Sequence, residues 1–120
     1  MFQAAKLLLE KLKSERVIVT ERLELIPDLS STDAAAISVE TPVTVLTCAG
    51  SETRTLANGY PGQLKILFLM TDGGAVVVTP AALYNADTIT FSEVNDGWIG
   101  IFYAGSWHTL AGTAAVTVLG

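Results

Sequence analysis

Apolar positions along the chain recur first at helical and then at strand spacing. Phe2, Ala5, Leu8, Leu9 and Leu12 fall three and four residues apart, on one stripe of a helix over residues 2–14. Lys6, Glu10 and Lys13 take the other side. A helix of about thirteen residues is marginal in isolation. The stripe of Phe2, Leu8, Leu9 and Leu12 is therefore expected to dock, on the body of its own chain or on neighbouring copies. After Arg16 the period changes to two. Val17, Val19, Glu21, Leu23 and Leu25 alternate with Ile18, Thr20, Arg22, Glu24 and Ile26, which predicts a strand ended by Pro27-Asp28. Residues 29–36 read as a loop or a single helical turn, with Ser, Thr and Asp33 placed to cap it.

Short strands follow, near residues 37–39, 43–48, 53–56, 63–70, 75–79, 88–91, 98–103, 106–110 and 114–118. Turn residues separate them: Thr41-Pro42, Ala49-Gly50, Asn58-Gly59, Pro61-Gly62, Asp72-Gly73-Gly74, Asn95-Asp96-Gly97 and Ala104-Gly105. Each supplies a residue tolerant of positive φ or a preset proline. Ala104-Gly105 between two aromatic strands predicts a two-residue hairpin. The pattern predicts a mainly β fold, an antiparallel sandwich or barrel of short strands with one short N-terminal α-helix. The chain divides into the amphipathic helix, residues 1–16, and a β module, residues 17–120.

Two of these strands are apolar on both faces. One face of 64–70 carries Leu64, Ile66, Phe68 and Met70, and the other carries Lys65, Leu67 and Leu69. In 98–103, Trp98, Gly100 and Phe102 oppose Ile99, Ile101 and Tyr103. A half-buried strand keeps one polar face. The core accounts for one apolar face, and a subunit contact for the other. Leu67, Leu69, Ile99, Ile101 and Tyr103 are the expected contact residues, with a bend of the sheet over the N-terminal helix as the rival account.

Composition sharpens that expectation. Half of the 120 residues are apolar and 16% are charged, against roughly a quarter charged in an average domain. No Lys or Arg occurs from Ile66 to Gly120. A chain this small buries only about two-thirds of its unfolded surface, so an interface with other subunits is expected to take up the excess. A membrane span is not expected, because Lys65, Asp72-Gly73-Gly74, Pro80 and Asp87 break every long apolar run. The net charge is −5. The first sixteen residues are basic on balance (Lys6, Lys11, Lys13 and Arg16 against Glu10 and Glu15) and the rest is acidic. An acidic body argues against a nucleic-acid partner.

Candidate chemistry is sparse. Cys48 is the one cysteine, so no internal disulfide is possible. It reads as a small buried apolar residue in a reducing compartment. The start of the chain lacks the pattern of a signal peptide. His108 is the one histidine, and a structural hydrogen bond is its expected role rather than general-base catalysis. No cluster has metal-ligand spacing. Asp72-Gly73-Gly74 and Asn95-Asp96-Gly97 lack the alternating ligands of a calcium loop. Residues 57–62 lack the Lys-Ser/Thr pair of a phosphate loop. Neither a catalytic site nor a cofactor is expected. Trp98, Phe102, Tyr103 and Trp107 are expected in core or interface first, and as a sugar-stacking platform second.

The segment Arg54-Thr55-Leu56-Ala57-Asn58-Gly59-Tyr60-Pro61-Gly62-Gln63-Leu64-Lys65-Ile66 is similar to an extended Thr-Leu-x-x-Gly-x-x-Gly-Gln-x-Lys run in structural proteins of tailed bacteriophages. Val78-Thr79-Pro80, Thr88-Ile89-Thr90-Phe91, Asp96-Gly97-Trp98 and Gly105-Ser106-Trp107-His108-Thr109-Leu110 resemble their later strands and closing hairpin. The resemblance spans about residues 43–112 and excludes the N-terminal helix. It implies a compact β module, often in symmetric trimers, exposed on a virion and assembled in the host cytoplasm. Head decoration or cement proteins and fibre modules both fit. The implied partners are copies of the chain (a homotrimer) and the major capsid protein or another virion protein. In a fibre, a host glycan would be the ligand.

Overall fold

The computed structural model describes residues 25–71 and 73–119. Among them are ten strands: β1 (Pro27–Ser30), β2 (Ala35–Ile37), β3 (Val43–Leu46), β4 (Glu52–Leu56), β5 (Leu64–Leu69), β6 (Val76–Pro80), β7 (Thr88–Phe91), β8 (Gly97–Tyr103), β9 (Ser106–Gly112) and β10 (Ala115–Thr117). The helix expected over 2–14, with Phe2, Leu8, Leu9 and Leu12, lies outside the described residues. So does most of the strand expected over 17–26, of which Leu25 and Ile26 are exposed and outside any strand.

The strands form two five-stranded sheets. The first has the order β1-β3-β5-β8-β9 and the second β2-β4-β6-β7-β10. β1, β3 and β5 run parallel, as do β2, β4 and β6. From β1 to β6 the chain thus crosses from the first sheet to the second three times and returns twice, each circuit stacking on the one before. β7 to β10 then join antiparallel. The expected antiparallel sandwich or barrel is corrected to two mixed sheets. Parallel neighbours need a crossover between them, and here each crossover is a strand of the opposite sheet. Successive partners advance from Pro27 to Val43 to Ile66 in the first sheet. That step is too uneven to show as a sequence repeat.

The stretch before residue 37 also needs correction. Pro27 starts a strand instead of ending one. Proline is tolerated at the first residue of an edge strand, where no ladder bond needs its nitrogen. The expected loop or helical turn over 29–36 holds the end of β1, a turn, and the start of β2. In that turn Ala34 has φ 59°, and Asp33 Oδ1 accepts from the amides of Ala34 and Thr53. The Thr53 bond holds the Asp33 carboxyl below its usual range.

One apolar core joins both sheets. Leu46, Leu67, Leu69 and Trp98 come from the first sheet, and Leu56, Val76, Val78, Ile89 and Phe91 from the second. Successive turns of the coil approach closely: a Cβ at Gly73 would lie 2.5 Å from the Cys48 carbonyl oxygen, and one at Gly74 2.5 Å from the Ser51 nitrogen. The absence of side chains at Gly73 and Gly74 is therefore a packing requirement.

Two cations are fully buried between the sheets. Arg54 on β4 donates to Ser30 Oγ at 3.0 Å, to the Thr47 carbonyl at 2.8 Å and to Glu52 at 3.0 Å. Lys65 on β5 donates at 2.6 Å to the carbonyls of Ser38 and Thr41 and to Thr44 Oγ1. Thr44 in turn donates to Asp28 at 2.5 Å. The two cations tie each turn of the coil to its neighbour. Together they satisfy interior polar groups that would be costly if left unpaired.

Burial pushes Lys65 down to about 8, with Asp28 opposing. The folded state therefore releases this proton at lower pH than the unfolded chain, whose ordinary value is 10.5. Between those values the unfolded state binds more protons, so stability rises with pH. Urea midpoints should increase from pH 8 toward 10, and Lys65→Met should flatten that rise. An equal rise in both proteins would exclude Lys65 as its source.

Candidate functional site

The distinguishing surface is the outer face of the first sheet. Its register sets Pro27, Val43, Ile66, Ile99 and Ala111 side by side across five strands. A second row runs Leu29, Val45 and Phe68, and a third Leu64, Ile101 and His108. Tyr103 extends the face beside Ser106. No acidic residue, lysine or arginine occurs in these rows. Leu64 is 51% exposed and Tyr103 63%, while Val43, Val45, Ile66, Phe68 and Ile101 are half-buried.

The second sheet is built differently. Ala36, Thr53, Thr55, Val77, Thr79, Thr90 and Thr117 lie in its outward rows, so hydroxyls and small groups face water. That is the expected dress of a solvated sheet face. A monomer rarely exposes a contiguous apolar patch beyond roughly a few hundred Å². The contrast marks the first sheet's outer face as the surface suited to a partner.

The structure divides the expected contact residues. Ile99, Ile101 and Tyr103 lie on the outer face. Leu67 and Leu69 are completely buried in the core and cannot meet a partner, so that part of the expectation is corrected. Leu64, Ile66 and Phe68 stand outward in their place. The phase reverses because Lys65, on the same face as Leu67 and Leu69, is solvated internally by carbonyls and hydroxyls.

The aromatic residues separate in the same way. Trp98 and Trp107 are buried, so neither offers a sugar-stacking surface. Trp98 Nε1 donates to Thr109 Oγ1 at 2.8 Å, and Trp107 Nε1 to the Ala57 carbonyl at 2.9 Å. Gly100 makes room for the Trp98 ring, on which a Cβ would fall directly. Gly100→Ala should cost about 1–3 kcal/mol through overpacking. A denaturation midpoint equal to the parent's would refute that account of the glycine.

The β8–β9 hairpin turns at Ala104 and Gly105, with φ of 52° and 85°. This is the two-residue turn the sequence predicts. His108 Nε2 lies 3.0 Å from the Tyr103 carbonyl oxygen, and its ring stacks on the exposed Tyr84 at 4.7 Å. Sequence reasoning missed Tyr84, since nothing local links it to the hairpin. Asp96 Oδ2 accepts from the amides of Ser92 and Glu93, which hold its carboxyl below the usual range. Its oxygens build a turn and do not orient His108. Cys48 is buried, its Sγ 3.2 Å from the Gly74 carbonyl oxygen.

Among the described residues no group of His, Cys, Asp and Glu could hold a metal ion. No described helix is long and apolar enough to cross a membrane. Neither a protein-family model, nor a curated protein, nor a solved structure matches the chain.

Proposed function

We propose that the protein is a non-enzymatic structural subunit that associates with copies of itself through the outer face of the first sheet. The carrying observation is the continuous apolar surface of Leu29, Val43, Ile66, Phe68, Ile99 and Ile101 beside a threonine-faced second sheet. Obligate interfaces resemble a core cut in half, and this face has that composition. Cyclic symmetry would give each subunit the same contact and close the assembly. With the resemblance to tailed-phage structural proteins, the reading becomes a homotrimer that decorates or cements a capsid, on the virion surface. Residues 2–14, with the apolar spacing of Phe2, Leu8, Leu9 and Leu12, would anchor or clasp the subunits. Light scattering on the purified chain should give three times the 12.7 kDa monomer mass. A monomer at micromolar concentration would refute self-association. Failure to bind undecorated phage heads in a sedimentation assay would refute the cement role.

A second reading is a fibre module that binds host glycans. It is favoured by the exposed Tyr84 stacked on His108, with exposed Tyr103 nearby on the same hairpin. Tyr84→Ala should abolish any glycan-array signal while leaving the oligomer mass unchanged.

A further inference from the structure

The connections between strands gather at two ends of the sandwich. Residues 38–42, 57–63, 81–87 and 104–105 lie at one end, and residues 31–34, 47–51 and 92–96 at the other. The first end holds all three tyrosines of the chain, Tyr60, Tyr84 and Tyr103, and all are exposed. Hydrogen bonds fix the segments that carry them. The Gly62 amide donates to the Phe102 carbonyl at 2.7 Å, and the Phe102 amide to the Gln63 carbonyl at 2.9 Å, which sets the turn of Tyr60 beside the strand of Tyr103. The Trp107 amide donates to the Ala82 carbonyl and the Tyr84 amide to the Trp107 carbonyl, both at 2.9 Å, so Trp107 closes this end. The Tyr84 ring then lies on His108, whose Nε2 meets the Tyr103 carbonyl. The Gln63 side chain donates to the Val39 carbonyl and brings in Glu40. Glu40 and Asp87, the latter three residues after Tyr84, are exposed carboxylates on the same connections.

We infer that this end is a docking surface for a basic segment of a partner protein, whose arginine and lysine side chains lie on the tyrosine rings and pair with Glu40 and Asp87. The face of a tyrosine ring is negative and attracts a cation. A guanidinium stacks flat on such a ring while its edge donates to a carboxylate. Charge is complementary as well. From Leu25 to Gly120 the chain has eight acidic residues and two basic ones, Arg54 and Lys65, and both of the basic side chains are buried. Carboxylates alone would not select an end, and the tyrosines do. At the opposite end Asp33 accepts from the amides of Ala34 and Thr53, and Asp96 from those of Ser92 and Glu93. Residues 31–34, 47–51 and 92–96 include no aromatic residue. Tyrosine and asparagine on connections of a rigid β frame, here with Asn58 and Asn85, give broad contact at low entropic cost. The surface is made by strand ends and not by the rows of the first sheet's outer face, so the inference is independent of the proposed self-association.

The test uses the full chain and a fluorescein-labelled peptide of alternating arginine and serine, read by fluorescence anisotropy at about 0.15 M salt. The arginine peptide should bind. The same peptide with citrulline for arginine keeps the shape without the charge and should not. Tyr60→Ala and Tyr84→Ala should each weaken binding about two- to fivefold, and together about tenfold. Tyr84→Phe keeps the ring face and should retain the parental affinity. Glu93→Gln, which removes an exposed carboxylate from the opposite end, should also retain it. No binding, equal affinity for the citrulline peptide, or full affinity in the double alanine variant would overturn the inference. So would tyrosine-dependent binding of a neutral glycan in a chain that ignores the peptide.

Discussion

Ile66→Asp should convert the assembly to a folded monomer. Ile66 lies in the middle of the outer face, between Val43 and Ile99. A carboxylate there stays hydrated in the monomer, so the fold should survive with an unchanged circular dichroism spectrum. In the assembly each copy would have to bury that charge without a partner, at a cost of several kcal/mol. Every 1.4 kcal/mol is tenfold in affinity, so the dissociation constant should rise by about a hundredfold or more. The neighbouring Leu67→Asp provides the contrast. Leu67 is buried between the sheets opposite Trp98, so its replacement should unfold the chain. If Ile66→Asp kept the parental mass in light scattering, the outer face would not be the association surface. If Leu67→Asp folded and only dissociated, the assignment of the two faces would be reversed.

Trp107→Ala should be the most destabilising single truncation. The side chain is wholly buried, edge-on to Phe102 at 5.3 Å and to Trp98 at 6.1 Å. Its indole nitrogen satisfies the Ala57 carbonyl, and its backbone joins β9 to residues 82–84. Removing the ring leaves a large cavity and removes the indole hydrogen bond, together about 3–5 kcal/mol. Small domains have only about 5–15 kcal/mol in total, so the melting temperature should fall by roughly 15–30 °C. Trp107→Phe retains much of the packing and should lose about 1 kcal/mol through the lost indole bond to the Ala57 carbonyl. A melting temperature within a few degrees of the parent for the alanine variant would remove Trp107 from the centre of the closure.

Eight of the ten strands, from β3 onward, stand close to where local pattern predicts them. Turn chemistry accounts for this: Pro61-Gly62, Asn95-Asp96-Gly97 and Ala104-Gly105 break the chain by their own backbone preferences. β1 and the start of β2, which lies two residues ahead of the strand expected near 37–39, were hidden for equally local reasons. Pro27 looks like a terminator unless it opens an edge strand. Ala35 and Ala36 have weak strand propensity and gain their conformation from parallel pairing with Arg54 and Thr55. The parallel arrangement itself was not legible. Its partners are far apart in sequence and at uneven intervals.

The outer apolar face of the first sheet was half legible. Alternation in β8 assigned Ile99, Ile101 and Tyr103 to one face, and the small Gly100 beneath Trp98 left the opposite side for the core. In β5 the same reasoning took the wrong phase at Lys65. A cation marks the solvent face only when water is its sole source of hydrogen bonds. Ser38, Thr41 and Thr44 replace water here, and they come from a different turn of the coil.

The sequence by itself determined a mainly β chain with well-placed turns and a high apolar content for its length. Those properties follow from composition and from interactions spanning a few residues. Only the tertiary structure decided that the strands coil between two mixed sheets, that Arg54 and Lys65 are inside, and that Leu64, Ile66 and Phe68 are outside. The physical reason is that burial and hydrogen-bond satisfaction are set by neighbours distant in sequence. The apolar residues gained a common face only once parallel pairing of β1, β3 and β5 and antiparallel pairing of β5, β8 and β9 had aligned five separate segments.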